Sequence, residues 1–411
     1  MTGKEYPNAV GVLFLLIFMP TPKHIHDAVR NAVRSLSFAL TKPQTKAVQE
    51  LLVGLLKDST TVLNHLNRAT SVRIGKQSER YRRHLENIDI THAVEERIFR
   101  TLPPLKKNTV IAYDLGDIAK PHAKKMEGVH DIFDGSERRI SRGYELHGVS
   151  IRNQPVVTEI HDAERKTLNQ VREEIIDRVT KKVGTQGIWV YDRGNDDKKL
   201  FSSNVRRKLR FVIRLKKNRK FIHHPSGMKQ AVEDFLPGVY DVRVPGQRWI
   251  YTLVVYEHLE EKTPIRVLVR GVKVRKAKKI IDTYLLRWDI ENLYKQMKGK
   301  FGLEKIRLLS LKKVRNLLAL IRLATSISNR AFAELVEEES STAAFELSVT
   351  FKAFCHHRCL TRNRFAFTSF LKEHTPTLHP RERQKNSFQR SLFPRRLIRV
   401  WEREAAEMGV C

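Results

Sequence analysis

Two short apolar runs, each ending at an aspartate, place the strongest constraint on the fold of this chain. Residues 109–113 are rich in strand-forming side chains and lead into Asp114, and residues 187–191 lead in the same way into Asp192. Side chains at strand ends project into the crevice of an open α/β sheet. We therefore predict two carboxylates at one sheet edge, although an aspartate after a strand is more often a helix cap or turn former.

The rest of this region predicts strands that alternate with helices. Residues 146–160 alternate enough to predict one or two strands with a turn near Arg152, and residues 209–215 resemble another strand. Residues 163–182 carry apolar side chains at helical spacing, and residues 198–208 also favour a helix. Strands followed by strand-helix-strand alternation predict an α/β core.

Residues 218–275 have a different texture. Residues 239–244 and 249–257 alternate like antiparallel strands, residues 266–273 add another strand, and proline and glycine punctuate the segment. Helices resume near Ala277 and continue to Arg330, and residues 24–100 also have helical spacing. We interpret 218–275 as a β-rich insertion. The basic stretch at 68–83 is either a grip on a polyanion or a solvated surface.

The charge of the chain points to a polyanionic partner. Lys and Arg number 77 against 45 Asp and Glu, giving a net charge of +32 and a pI near 10.2. A field of this size favours nucleic acid first and an anionic membrane surface second. Purely structural nucleic-acid binders share this composition, so the charge predicts a class of partner and no chemistry.

Cysteine content and hydropathy exclude several classes of protein. Three cysteines argue against a disulfide framework and fit a reducing cytoplasm. Cys355 and Cys359 flank two histidines, but this spacing is not a usual zinc pair, and we favour buried thiols. The apolar run at 10–19 has half the length of a membrane-spanning helix, and no later segment reaches that length. We therefore expect no membrane association.

A segment from Tyr284 to Lys298 would carry two separate faces if it were one helix. The first face presents an aromatic side chain, two cations and a carboxylate: Tyr284, Arg287, Glu291 and Lys298. The second face, roughly 120° away, is apolar and predicted to face the core: Leu286, Ile290, Leu293 and Met297. The alternative is a solvated helix whose Arg287 and Glu291 form an i,i+4 ion pair.

The spacing Tyr-x2-Arg-x3-Glu-x6-Lys resembles the signature of the insertion-sequence-4-like family of bacterial transposases. The stretch at 113–121 resembles the first acidic motif of that family, 191–194 the second, and 211–216 the following strand. Together these stretches cover about residues 107–330. The family has a retroviral-integrase-like or ribonuclease-H-like core with a β-rich insertion. The resemblance therefore implies an α/β mixed-sheet core.

What the resemblance implies about chemistry is metal-dependent DNA cleavage at transposon ends and strand transfer. Asp114, Asp192 and Glu291 would be the catalytic residues and would bind two Mg²⁺ ions, for which Mn²⁺ could substitute. The implied contacts with DNA are Tyr284, Arg287, Lys298, Arg193, Arg214 and, as a base-stacking candidate in the insertion, Trp249.

The resemblance also implies partners and a domain plan. Double-stranded DNA and a homodimer in the synaptic complex are expected, in the cytoplasm at the nucleoid. The alternatives are an inactive or domesticated DNA-binding derivative and a basic structural nucleic-acid-binding protein. The domain plan consists of a helical DNA-binding module at 1–106, a catalytic core at 107–217 and 276–330, the insertion at 218–275, and a helical basic region at 331–411.

Overall fold

The computed structural model of the chain describes residues 23–66, 74–135, 137–257, 263–337 and 364–374, with 351, 354, 355, 358 and 360. All of these belong to one compact unit, Met1–Pro376. The apolar run at 10–19, Arg68, Arg73, Cys359 and the basic tail after 375 lie outside the described residues. In the described part of the chain, every helix is too short or too polar to cross a membrane.

The strands form one mixed sheet in the order β2-β3-β1-β5-β6-β11-β10-β9-β7-β8, and β4 pairs with β3. The strands are β1 Val110–Ala119, β2 His130–Asp134, β3 Arg139–Ile151, β4 Gln154–Ile160, β5 Ile188–Tyr191, β6 Phe211–Arg214, β7 Lys220–His223, β8 Lys229–Ala231, β9 Gly238–Arg243, β10 Ile250–Tyr256 and β11 Ile265–Arg270. The predicted fold class is confirmed as a mixed-sheet α/β core with flanking helices.

Helices precede, cover and follow this sheet. The helices in the described residues are α1 Lys23–Leu36, α2 Lys42–Asp58, α3 Ile74–Asn87, α4 Thr91–Arg100, α5 Leu168–Val183, α6 Lys198–Arg206, α7 Ala277–Leu285, α8 Trp288–Gly299, α9 Leu311–Glu337 and α10 Arg364–His374. Buried Val171, Ile175, Ile176 and Val179 hold α5 against its neighbours, as the helical spacing predicts.

The strand that carries Asp114 is longer than predicted. β1 runs on through Ala119, because its antiparallel pairing with β3 continues as far as Ala119 opposite Gly143. Asp114 therefore lies inside a strand, and the prediction that it directly follows one is wrong. Only the parallel pairing of β1 with β5 stops early, at Tyr113 opposite Tyr191. The hairpin of β2 with the first half of β3 was also missed.

The β-rich segment extends the core sheet. β11 pairs antiparallel with β6, which places Val267 opposite Arg214, and β10, β9, β7 and β8 continue outward. β9, β10 and β11 lie near their predicted positions, whereas the short β7 and β8 were not predicted. The hairpin between β3 and β4 turns at Arg152 and Asn153, both with positive φ, at the predicted place.

The predicted continuous helix from Tyr284 to Lys298 is broken. α7 ends at Leu285, and the backbone N–H groups of Arg287 and Asp289 bond to carbonyls three residues earlier, which tightens the chain before α8. The break turns Leu286 to solvent, where it is 53% exposed, so its predicted core position is wrong. Ile290, Leu293 and Met297 are buried as predicted.

Two glycines let α8 lie close to the sheet. The ring of Tyr294 covers Gly116 on β1 and Gly148 on β3, and a Cβ built on Gly148 would lie 2.2 Å from the Tyr294 Oη. The same Oη donates to the backbone carbonyl of Asp114 at 3.1 Å. Glycine at both positions therefore sets the height of α8, and with it of Glu291, above Asp114.

A buried polar cluster lies on the sheet between β1 and β3. His147 Nδ1 is 2.7 Å from the Tyr113 Oη, and its Nε2 is 3.3 Å from His161 Nδ1. Burial, together with the neighbouring His161 and Arg172, lowers the pKa of His147 to about 3. The fold therefore holds this imidazole in its neutral form.

The N-terminal helices pack against α9. Asn316 on α9 donates to the carbonyls of Leu85 and Ile88 at 3.0 and 2.9 Å and accepts from the N–H of Ile90. Arg80 in the basic stretch pairs with Glu50 and lies over Tyr81. The boundary predicted at 106 and the role of that basic stretch stay predictions.

Adding a methyl group at Gly148 should push α8 away from the sheet and destabilise the fold. Gly148→Ala places a Cβ inside the contact distance of Tyr294, and overpacking of this kind costs about 1–3 kcal/mol of unfolding free energy. Chemical denaturation of Gly148→Ala, Tyr294→Phe and the double variant checks this. The double variant should be less destabilised than the sum of the single variants, and strict additivity would contradict the contact.

Acid should destabilise the fold through His147. Its folded pKa lies below the unfolded value near 6.5, so the stabilisation is present above pH 6.5 and is lost as the pH falls. The expected slope is up to about 1.4 kcal/mol per pH unit. Denaturation of wild type and His147→Gln from pH 7.5 to 5.0 measures it, and equal slopes would exclude this imidazole as the cause.

Candidate active site

The register of two parallel strands brings two carboxylates together. β1 pairs with β5 from Val110 opposite Ile188 to Tyr113 opposite Tyr191, so Asp114 and Asp192 are the next residues on adjacent strands. Neighbouring strands lie about 4.8 Å apart. By the alternation of side chains, Asp114 shares its face with Gly116 and therefore points toward α8.

The third carboxylate arrives on the first turn of α8 and is linked to the first by an arginine. Arg287 donates from Nη1 to Asp114 Oδ2 at 2.7 Å and from Nη2 to Glu291 Oε1 at 2.5 Å. Arg287 is buried, and the two carboxylates raise its pKa further above its ordinary value against the opposing effect of burial. The ion pair with Glu291 that the solvated-helix alternative required exists, but it lies in a buried site.

The electrostatics of Asp114 reflect crowding of negative charge. Burial, followed by the nearby Asp192 and Glu291, raises the pKa of Asp114 to about 8, although the guanidinium of Arg287 and the N–H of Leu115 act in the opposite direction. A second cation in addition to Arg287 would therefore favour the ionised form of Asp114 at neutral pH.

Asp192 is held by a chain of polar groups. Its Oδ1 accepts from the backbone N–H of Asn195 at 3.2 Å and from the Asn195 side chain at 2.6 Å. Arg172 on α5 donates to Asn195 Oδ1 at 3.4 Å and pairs with Asp197 at 2.9 Å. The two hydrogen bonds from Asn195 both fall on Oδ1 of Asp192. Asp192 is therefore a turn-forming cap that can still offer Oδ2 as a ligand.

A basic cavity of about 410 Å³ opens beside Asp192. It is lined by Asp192, Arg193, Gly194, Arg214, Lys216, Tyr284 and Arg287. Tyr284 is 2% exposed and belongs to the apolar core under α7, with the guanidinium groups of Arg214 and Arg287 5.9 and 5.8 Å from its ring centre. Tyr284 therefore supports the two arginines from beneath and presents little of its own surface.

Two predicted site residues lie at the margin. Lys298 pairs with Asp117 at 2.8 Å and with Glu304 at 2.9 Å, so its ammonium group is engaged by carboxylates. Trp249 is partly exposed ahead of β10, with the guanidinium of Arg248 5.5 Å from its ring centre. The adjacent Gln247 donates to the carbonyl of Lys198 at 2.9 Å, which ties this loop to the start of α6.

The donor set has the chemistry of a hard-cation site, since three carboxylates supply the oxygens that Mg²⁺ prefers. Among the described residues, no three His, Cys, Asp or Glu side chains converge on one point that would hold a metal ion. Arg287 lies between Asp114 and Glu291 instead. The residues therefore fit a metal ion in kind, and the guanidinium provides the positive charge between them.

Several residues important to this geometry were missed from the sequence. Asn195 contacts Asp192, and Asp117 contacts Lys298. Arg172 contacts Asn195, and Tyr294 with its glycines sets the position of α8. Asn195 carried a usable signal, because a polar side chain three residues after a strand-end aspartate is typical of a capped turn. The other contacts join residues far apart in the chain.

Comparison with known proteins gives one family match and several matches among solved structures. Residues 138–327 match the family model of the transposase DDE domain. That segment contains Asp192 and Glu291 and begins after Asp114. Comparison with curated proteins gives no match. Seven chains of solved structures match, among them a cryo-EM structure of the piggyBac transposase synaptic complex with hairpin DNA, at 10% identity and a TM-score of 0.47 over 94% of this chain and 91% of that chain.

Truncation of Asn195 should loosen Asp192. Asn195→Ala removes the 2.6 Å donor to Oδ1 and should weaken Mn²⁺ binding by roughly 10-fold, as the loss of a group that orients a ligand does. Titration calorimetry with Mn²⁺ measures the change. Asn169→Ala, at an exposed position on α5, is the matched control. Equal Mn²⁺ affinity in wild type and Asn195→Ala would rule out the positioning role.

Proposed function

We propose that this chain is a DNA transposase that cuts DNA at the ends of a mobile element and joins those ends to target DNA. Two observations carry the proposal: Asp114 and Asp192 are the next residues after the paired stretch of β1 and β5, and Arg287 links Asp114 to Glu291. The match of residues 138–327 to the transposase DDE domain supports the same class of chemistry. We also propose that the chain belongs to the insertion-sequence-4-like family of bacterial transposases.

The reaction is an in-line displacement at a DNA phosphate. Water first attacks the phosphate at the element end and releases a 3′-hydroxyl. That hydroxyl then attacks a second phosphate and displaces the 3′-oxygen of the strand it joins. Divalent metal ions held by Asp114, Asp192 and Glu291, Mg²⁺ with Mn²⁺ as a substitute, would stabilise charge on the attacking and leaving oxygens. Asn195 keeps Oδ1 of Asp192 occupied, and Arg287 lowers the pKa of Asp114 against the opposing effects of burial and of Asp192.

The basic cavity beside Asp192 would bind the DNA backbone. Arg193, Arg214 and Lys216 line it and can form charge-assisted hydrogen bonds with phosphate oxygens. Tyr284 would orient Arg214 and Arg287 through its buried ring.

Two further residues would contact DNA at the margin of the site. Lys298 would give up one of its ion pairs with Asp117 and Glu304 and bind a phosphate in its place. Trp249 would stack on a base near the element end, and Trp249→Ala should then lower second-strand processing with first-strand cleavage intact.

The proposed partners follow from this chemistry. Two element ends must be held together before joining, so we propose a homodimer acting on double-stranded DNA at the nucleoid. The net charge of +32 supports a nucleic-acid partner. An inactive derivative or a basic structural binder would share the charge and lack metal-dependent cleavage.

Replacement of Glu291 tests the proposal. With a labelled duplex carrying the element's own end and Mg²⁺ or Mn²⁺, wild type should cut, and Glu291→Gln should cut on the order of 100-fold more slowly or worse. Duplex binding, measured by gel shift, should survive, since Gln keeps the shape of the side chain. Glu174→Gln, on the exposed surface of α5, is the matched control.

The opposite outcome is equally informative. If wild type and Glu291→Gln both bind the end and neither cuts it with either metal, the enzyme proposal fails. The chain would then be an inactive transposase derivative or a basic structural binder.

A further inference from the structure

A second basic surface lies at the edge of the sheet opposite the carboxylates. Four segments meet there: 103–109 before β1, 181–187 before β5, 206–210 before β6, and 271–279 after β11. They contain thirteen Lys and Arg and no Asp or Glu in 28 residues, where the chain average would give about five basic and about three acidic residues. The bias therefore exceeds the general basicity of the chain. We call these four segments the basic rim.

Backbone contacts make the basic rim continuous. The N–H of Ile188 donates to the carbonyl of Thr109 at 2.8 Å, and the N–H of Trp189 donates to the carbonyl of Arg210 at 2.9 Å. Gly271 in turn lies against the Arg210 side chain. Four adjacent strands at a spacing of about 4.8 Å give the rim a width of roughly 15 Å.

Most rim cations are exposed and lack an internal counter-ion. The exposed members without an ion pair among the described residues include Lys106, Lys107, Lys181, Lys208, Lys273, Arg275, Lys276 and Lys279. Within the rim, pairs with carboxylates engage Lys182, Arg207 and Lys278. The positive charges on such a surface repel one another, and the surface attracts an extended polyanion.

The body of the sheet separates the rim from the carboxylates. β5 spans four residues between Gly187 and Asp192, which corresponds to about 13 Å of strand. The two surfaces therefore face opposite ends of the parallel strands. A phosphate on the rim must belong to a different stretch of DNA from the phosphate beside Asp192.

We infer that the basic rim is a second binding surface for the backbone of duplex DNA, distinct from the carboxylate edge. The choice of DNA as the partner rests on the proposed function, whereas binding at the rim does not depend on the cleavage chemistry. Lysine and arginine side chains without neighbouring acids or ordered acceptors contact phosphates and carry no sequence preference. The rim would thus hold flanking or target DNA while the carboxylate edge holds an element end.

Salt-dependent binding separates the rim from general charge. The rim variant is Lys208→Gln, Lys273→Gln, Arg275→Gln and Lys276→Gln combined. The matched control, with the same loss of charge at exposed positions elsewhere, is Lys42→Gln, Lys46→Gln, Lys220→Gln and Lys229→Gln. Binding of a random-sequence duplex of about 40 base pairs is measured across a salt series.

The rim variant should flatten the slope of log affinity against log salt by about 3 to 4, at roughly 0.9 per lost phosphate contact. The control should change that slope by less than about 1. Equal changes in the two variants would overturn the inference. Tighter binding to phosphatidylserine vesicles than to the duplex, lost in the rim variant, would overturn DNA as the partner.

Lysine acetylation read by mass spectrometry adds a measurement on the unmodified sequence. The duplex should protect Lys106, Lys107, Lys273 and Lys276 and leave Lys42 and Lys46 reactive; equal reactivity with and without duplex would contradict the rim. Cleavage of a short element end is assayed separately in the same proteins. Failure of wild type to cut would remove the proposed function and leave the rim result standing, and the reverse also holds.

Discussion

The arrangement of the three carboxylates depends on one buried guanidinium group. Asp114, Asp192 and Glu291 repel one another, and burial alone would favour a protonated Asp114. Arg287 offsets that repulsion by binding two of the three carboxylates at once, with the planar fork that suits bidentate contacts. Arg287 lies in the tight turn between α7 and α8, where its backbone N–H donates to the carbonyl of Tyr284.

The position of α8 rests on the absence of side chains beneath it. Tyr294 fills the space above Gly116 and Gly148 and fastens to the carbonyl of Asp114, so strand and helix are joined at the residue that carries the first carboxylate. Asp192 is positioned by Asn195, which donates to its carboxylate, and Asn195 is held in turn by Arg172. Each carboxylate is thus held by groups that have no chemical role of their own.

The sequence predicted what depends on local pattern and missed what depends on distant contacts. Alternation located β9, β10 and β11, and helical spacing located α5 and α6. The spacing from Tyr284 to Lys298 selected Arg287, which binds Asp114, and Lys298, which binds Asp117. The extension of β1 to Ala119 was missed because its second half is stabilised by β3, about 30 residues away. The break after Leu285 was missed because no glycine or proline marks it, and the tertiary contact of Arg287 decides it.

The β-rich segment leaves the core along β6 and returns along β11, its immediate neighbour in the sheet. The two ends of this detour are therefore a single strand spacing apart, and their separation is fixed by the ladder itself. The outer strands of this detour, β7, β8 and β9, can therefore change in length while the ladder between β6 and β11 holds its two ends together. Such an architecture permits the far side of the sheet to be reshaped at one place in the chain, with Asp114, Asp192 and Glu291 left in position.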